Sequence, residues 1–139
     1  MSIEEENKAL VRKLLEEVWN KKNQDLIPEL IAPEYILNID RNKHEGPEGH
    51  KQVMNSCYQG LPDFHINIEN IVGDGDIVVY YGTFEGTHEG EFVGVKPTGK
   101  HVIVKDCGVF QIKDGKIISE KGYSDMLGLM QQLGAIPSQ

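Results

Sequence analysis

The feature that most constrains the fold is a change in the spacing of apolar residues near position 60. Before this point they recur every three or four residues, as on one face of a helix: Leu10, Val11, Leu14, Leu15, Val18 and Trp19. After it, apolar and polar residues alternate, beginning with Phe64, Ile66 and Ile68. Such alternation is typical of a sheet with one face in water. Helices followed by strands predict an α+β fold rather than a parallel α/β sheet.

The pattern predicts three N-terminal helices. The first begins with Ser2 and Glu5 at capping-box spacing, the second starts at Asp25 and ends before Pro33, and the third opens at Gly46-Pro47. Strands are predicted at residues 35–40, around 64–69, and at 77–84, 101–112 and 117–123, with a hairpin turn at Asp114-Gly115 and a last helix at 126–133. Helices laid across a curved antiparallel sheet would leave a tapered cavity between the two layers.

Length and charge narrow the class of protein. At 139 residues we expect one domain, spanning residues 1–139, with one continuous core. The net charge of −8 argues against nucleic acid and anionic membranes as partners, since both attract basic surfaces. The acidic start lacks the pattern of a secretion signal, so we expect a cytoplasmic protein with Cys57 and Cys107 reduced.

Alternation along the last two predicted strands suggests which side chains face the cavity. In 101–112 one face carries Val102, Val104, Asp106, Gly108, Phe110 and Ile112, and its apolar character predicts that it faces the helices. Asp106 would then need a partner or a raised pKa. In 117–123 we favour an inward Lys121 and Tyr123, which could hold a carbonyl compound beside Asp106 and Asp125. The opposite orientation would bury Ile118 and expose Lys121.

Several of these residues also have plain structural interpretations. Ser124 or Asp125 could cap the last helix, and this is compatible with an active-site role. Asp106 could belong to a buried salt bridge, and His88 could hold its loop by hydrogen bonding. The five histidines are too scattered along the sequence to predict a metal site.

A series of short motifs resembles a known family. These are residues 86–99 (GTHEGEFVGVKPTG) and 125–134 (DMLGLMQQLG), together with residues 46–49, 61–63 and 114–117. In this order they are similar to the SnoaL-like polyketide cyclases, or ester cyclases, of the nuclear transport factor 2-like superfamily. The resemblance implies a cone-shaped α+β roll. It also implies an intramolecular aldol reaction without metal or organic cofactor, with Asp125 at the place of the family's acid–base residue.

The hypothesis is therefore a cofactor-independent cyclase or isomerase for a small hydrophobic carbonyl compound. Its expected catalytic residues are Asp125 and Asp106, and its expected substrate-binding residues are Lys121, Tyr123, Asn38, Phe110, Trp19 and His88. The alternative is a non-catalytic binding protein. Members of the family often carry His at the position of Asn38, His or Asp near Gly108 and Trp at the position of Lys121, and this chain departs from that pattern at all three. We also expect a homodimer, formed through an outer sheet face that carries Val78, Ile103 and Val109.

Overall fold

The computed structural model describes residues 1–39 and 41–137, and here helices pack on one six-stranded sheet. The strands are β1 (Ile31–Ile39), β2 (Asn42–Glu45), β3 (His65–Asp74), β4 (Ile77–Thr87), β5 (His101–Lys113) and β6 (Lys116–Ser124). Their order is β2-β1-β6-β5-β4-β3, and every neighbouring pair is antiparallel except β1 and β6. The predicted α+β class with a mainly antiparallel sheet is confirmed.

The first helix, α1 (Ile3–Lys13), is capped as predicted, because the Ser2 hydroxyl accepts a hydrogen bond from the Glu5 N–H at 3.1 Å. It continues as a π-helical segment, Leu14–Asn20, which the apolar spacing did not predict. This wider segment ends where the Lys21 N–H bonds the Glu16 carbonyl, five residues back, at 3.2 Å. None of the helices within residues 1–39 and 41–137 is long and apolar enough to cross a membrane.

The second helical segment is shorter than predicted. A 3₁₀ turn (Gln24–Leu26) leads into α2 (Ile27–Leu30), and Ile31 already begins β1. Pro33 disfavours helical geometry at the residue before it, and the extended conformation reaches back to Ile31. Asp40, the predicted end of this strand, lies outside the described residues. The third helix, α3 (Gly46–Gly60), carries Pro47 in its first turn as predicted.

The inner face of the sheet forms the core with the helices. On β5 the predicted inward set is confirmed, with Val102, Val104, Phe110 and Ile112 buried. The expectation that Val78 lies on the outer face is wrong, because it is fully buried. Val78 shares the inner face of β4 with Tyr80, so alternation along β4 runs in the opposite phase from the one expected.

On β6 the expectation that Lys121 and Tyr123 face inward is also wrong, and both are exposed. Ile117 pairs with Ile112 and is buried, but the next register pair is Ser119 with Gln111. Ile118 is therefore an extra residue, a β-bulge, and it reverses the alternation of every residue that follows. The side chains that reach the cavity are those of Glu120 and Ser124, with Gly122 between them.

The last helix, α4 (Met126–Leu133), has the predicted bounds, with Leu129 and Leu133 buried. It lies beside β5 beyond the end of β6. There the Gln132 side-chain amide accepts from the Ile103 N–H at 2.9 Å and donates to the Ile103 carbonyl at 2.8 Å. These two bonds pair the backbone of β5 past the point where its neighbouring strand ends.

Candidate active site

A cavity of about 690 Å³ lies between the helices and the inner face of the sheet. Its wall is largely aromatic and apolar, and includes Trp19, Phe64, Phe84, Phe92 and Phe110. Small-molecule sites commonly enclose roughly 300–1,000 Å³ with mostly hydrophobic walls and a few polar groups. The cavity therefore has the size and lining for a small, predominantly apolar molecule.

Asp106 supplies one of three carboxyl groups that line this cavity, and the other two belong to Glu120 and Glu91. The Tyr80 hydroxyl donates to its Oδ2 at 3.2 Å, and the Ser124 hydroxyl donates to its Oδ1 at 2.8 Å. Burial raises the pKa of Asp106 above its ordinary value, although the hydrogen bonds from Ser124, Tyr80 and the Cys107 backbone act in the opposite direction. Its partners are hydroxyl groups rather than the salt bridge considered from the sequence.

Glu120 supplies the second carboxyl group, and the sequence predictions missed it. The Tyr35 hydroxyl donates to its Oε1 at 2.8 Å. The pKa of Glu120 is raised to about 7, chiefly by burial; the Tyr35 hydrogen bond lowers it, and the nearby charge of Asp106 adds to the rise. The signal available in the sequence was that Glu120, Gly122 and Ser124 share one phase, but the bulge that turns this phase inward was not evident.

A buried chain of hydrogen bonds leads to Glu120. The Trp19 Nε1–H donates to His50 Nε2 at 3.0 Å, and Tyr35 Oη lies 3.0 Å from His50 Nδ1. Burial lowers the pKa of His50 to about 3, so its ring is neutral. Because Nε2 accepts from Trp19, the one ring proton lies on Nδ1 and is donated to Tyr35. Each donor in the chain therefore points towards Glu120.

The carboxyl groups of Asp106 and Glu120 stand at opposite ends of a strip without side chains. Across β5 and β6, Asp106 pairs with Ser124, Gly108 pairs with Gly122, and Phe110 pairs with Glu120. The two glycines thus lie between the acidic residues on the inner face. A Cβ at Gly108 would come within 3.0 Å of the Phe110 ring, so this aromatic residue lies over part of the strip.

Five of the six predicted binding residues lie on one side of the sheet or the other. Trp19 and Phe110 line the cavity. Asn38 and Lys121 are register partners on β1 and β6, and with Tyr123 they border a shallow depression on the outer face. The structure therefore separates Asn38, Lys121 and Tyr123 from Asp106.

Asp125 and His88 lie outside the cavity lining. Asp125 is exposed and is the N-cap of α4, where its Oδ1 accepts from the Gly128 N–H at 2.9 Å. His88 is fully buried in the loop after β4, where Nδ1 accepts from the Thr98 N–H at 3.1 Å and Nε2 donates to the Val95 carbonyl at 3.1 Å. Among residues 1–39 and 41–137, no group of three or more His, Cys, Asp or Glu side chains is placed to hold a metal ion.

Comparisons with known proteins agree with this architecture. The family model of the SnoaL-like polyketide cyclases matches residues 9–133. The chain belongs to this family. A SnoaL-like protein from Jannaschia sp. CCS1 has a TM-score of 0.90 at 29% identity, covering 99% of this chain and 97% of its own. The cone-shaped α+β fold expected for a SnoaL-like protein is thus confirmed.

Two curated relatives of this SnoaL-like chain share one name, aklanonic acid methyl ester cyclase. Aklanonic acid methyl ester cyclase DauD from Streptomyces sp. (strain C5) is 29% identical over 130 residues, which cover 90% of this chain and 80% of DauD. Aklanonic acid methyl ester cyclase DnrD from Streptomyces peucetius is also 29% identical, over 90% of this chain and 88% of DnrD.

Proposed function

We propose that this SnoaL-like protein is an acid–base enzyme that acts on a small hydrophobic carbonyl compound, by intramolecular aldol cyclisation or isomerisation, with Asp106 as the base. The observation that carries the proposal is the Asp106 carboxyl facing a largely apolar cavity. Burial raises its pKa, and a carboxylate with raised pKa is a stronger base near neutral pH. The two cyclases at 29% identity support the reaction class.

In the proposed reaction, Asp106 takes a proton from a carbon next to a carbonyl. The electron pair of the broken C–H bond spreads onto the carbonyl oxygen as an enolate. The enolate carbon then forms a bond to a second carbonyl carbon of the same molecule, and the oxygen of that second carbonyl takes a proton. The product is an isomer of the substrate, so the step needs no oxidant, reductant or second substrate.

The first test compares Asp106→Asn with wild type, using aklanonic acid methyl ester as the probe and chromatography of the cyclised product. We expect Asp106→Asn to lower the rate about 100-fold or more, because the amide cannot accept the proton. The control is Glu34→Gln, which changes an exposed carboxylate on β1 and should keep the wild-type rate. Cyclisation by Asp106→Asn at the control rate would remove Asp106 from the mechanism.

A second candidate function is non-catalytic binding of an apolar carbonyl compound in the same cavity. The exposure of Asp125, which stands where the family resemblance places the acid–base residue, favours it. Native mass spectrometry of gently purified protein distinguishes the two functions. A retained compound that changes to an isomeric product with time supports the enzyme, and a retained compound that stays unchanged supports the binding protein.

We further propose that the chain is one domain over residues 1–139, works in the cytoplasm and forms a homodimer through the outer face of its sheet. Support for the dimer comes from exposed apolar residues on that face, namely Val72, Tyr81, Ile103 and Tyr123.

A further inference from the structure

We propose that Glu120 is a second catalytic residue of this cavity, the one that protonates the oxygen of the attacked carbonyl, and that Tyr35, His50 and Trp19 position it. The inference rests on the proposed acid–base function and extends it to four residues that the Asp106 step does not use.

The direction of the hydrogen bonds is the first argument. Trp19 donates to His50, His50 donates to Tyr35, and Tyr35 donates to Glu120 Oε1. His50 is 1% exposed and Tyr35 is fully buried, so the chain is held within the core rather than on a mobile surface. The last hydrogen bond of this chain, from Tyr35, reaches only one of the two carboxyl oxygens of Glu120. Within the part of the chain that the structure describes, no group donates a hydrogen bond to Oε2, which leaves this oxygen for a molecule in the cavity.

The different surroundings of the two carboxyl groups are the second argument. Asp106 accepts hydrogen bonds from Tyr80, Ser124 and the Cys107 backbone, and these stabilise its ionised form. Glu120 accepts from Tyr35 alone and stands near the charge of Asp106. Since one shared site disfavours two negative charges, Glu120 keeps its proton at a pH where Asp106 has lost its own. Asp106 is thus suited to accept a proton and Glu120 to donate one.

The position of Glu120 is the third argument. Asp106 and Glu120 face the cavity from opposite ends of the strip made by Gly108 and Gly122. A flat carbonyl compound lying along this strip would place its acidic carbon near Asp106 and its second carbonyl oxygen near Glu120. An aldol closure needs a base and an acid at two separate atoms of one substrate.

The proposed step is balanced. The substrate C–H bond breaks and its proton goes to Asp106, while the carbon–carbon bond forms and the Glu120 O–H proton goes to the new alkoxide oxygen. The product leaves as an alcohol. Asp106 then loses its proton to water and Glu120 regains one from water, which restores both groups for another turnover.

The titratable groups around Glu120 come from several elements. Tyr35 on β1, His50 on α3, Tyr80 on β4 and Asp106 on β5 face it directly or through one another. Other titratable groups lining the cavity are His44 on β2, Cys57 on α3 and Glu91 in the loop after β4. With His50 neutral, Asp106 is the acidic group whose charge contributes to the raised pKa of Glu120.

The first experiment follows the Glu120 carboxyl by ¹³C NMR in protein labelled at the glutamate side-chain carboxyl carbons, without ligand. The signal is assigned by its loss in Glu120→Gln. We expect a midpoint near pH 7, and a higher midpoint in Tyr35→Phe, which lacks the hydrogen bond that favours the ionised form. Tyr81→Phe, the same change on the outer face, should leave the midpoint unchanged. Titration near the ordinary value for glutamate, or no change in Tyr35→Phe, overturns the proposal.

The second experiment separates the two proton transfers. Aklanonic acid methyl ester is incubated in D₂O, and mass spectrometry follows both deuterium uptake at carbon and the cyclised product. We expect Glu120→Gln to retain deuterium uptake, because Asp106 still acts, and to lose about 100-fold or more in cyclisation. Asp106→Asn should lose both.

The outcomes distinguish the two proposals. Cyclisation by Glu120→Gln at the wild-type rate overturns the role of Glu120 and leaves that of Asp106 intact. If Asp106→Asn takes up deuterium and cyclises like wild type, the proposed function of Asp106 fails. The role of Glu120 is then decided by its titration and by the Glu120→Gln rate.

Discussion

Burial acts on Glu120 and His50 with opposite consequences for their protons. The pKa of the Glu120 carboxyl rises to about 7, so it stays protonated in mild acid, whereas the pKa of His50 falls to about 3 and its imidazole stays neutral. Both shifts favour the uncharged form of a group removed from water. The stability of the protein should therefore carry two pH dependences of opposite sign.

The Glu120 contribution can be isolated by comparing Glu120→Gln with wild type. The folded-state pKa of about 7 lies above the ordinary 4.5, so this contribution is fully present below pH 4.5 and is lost as pH rises to 7. Glutamine does not titrate. The unfolding free energy of Glu120→Gln should then rise relative to wild type by at most about 1.4 kcal/mol per pH unit between pH 4.5 and 7.

Urea denaturation at half-unit pH steps measures this difference, with Glu34→Gln on the surface of β1 as the control. A difference that stays constant from pH 4.5 to 7 would show that Glu120 titrates alike in both states. His50 contributes with the reverse sign, because its lowered pKa makes stability fall as pH drops from 6.5 towards 3.

Single residues also show how far a sequence can identify this site. Asp106 could be placed in the cavity because β5 alternates regularly over its whole length. The series of hydrogen bonds that leads to Glu120 could not be predicted, since Trp19 and His50 are 31 positions apart in the sequence and Tyr35 and Glu120 are 85 apart. Local spacing carries no information about contacts between such distant positions.

At the level of elements, the start of α4 assigns a structural role to Asp125. Its carboxylate accepts from the Gly128 N–H, one of the backbone donors that a helix leaves unpaired in its first turn. The neighbouring residues Ser124 and Met126 line the cavity, whereas Asp125 itself is exposed.

Two substitutions separate capping from catalysis at this position. Asp125→Ala should lower the unfolding free energy by about 1 kcal/mol, because alanine offers no acceptor, while Asp125→Asn should cost less because asparagine is also a good N-cap. Urea denaturation measures both. The proposed cyclisation, assayed in parallel with aklanonic acid methyl ester as the probe, should continue in Asp125→Asn. Its abolition in a normally folded Asp125→Asn variant would return Asp125 to the acid–base role.

The β6 strand explains why Lys121 and Tyr123 were predicted on the wrong face of the sheet. The alternation of Ile117, Ser119, Lys121 and Tyr123 is regular in the sequence, and it predicts one continuous face. The register with β5 inserts Ile118 as a bulge, and the cost or benefit of such an insertion depends on how two strands fit together. A pattern read along one strand does not contain this information.

At the scale of the whole molecule, the outer face of the sheet carries several exposed apolar and aromatic side chains. Tyr81, Cys107 and Tyr123 are neighbours across β4, β5 and β6, and Ile103 lies on the same face of β5. Tyrosine is enriched in protein–protein interfaces relative to the rest of the protein surface.

We expect sedimentation velocity at micromolar concentration to show a dimer for wild type. Combining Tyr81→Glu with Tyr123→Glu should give a monomer, because two carboxylates per subunit would oppose two more across the interface. Glu120 titration should be retained in this variant, since the cavity lies on the opposite face. A wild-type protein that sediments as a monomer contradicts the dimer.

The bulge at Ile118 determines the charge of the ligands that the cavity can bind. Without the extra residue in the register, Lys121 would take a place opposite Gly108, and an ammonium group would replace a carboxylic acid beside the aromatic wall. A cavity lined in this way would bind anions instead of donating a proton. One backbone irregularity thus decides whether this wall of the cavity carries an acid or a cation, and the amino-acid composition does not reveal it.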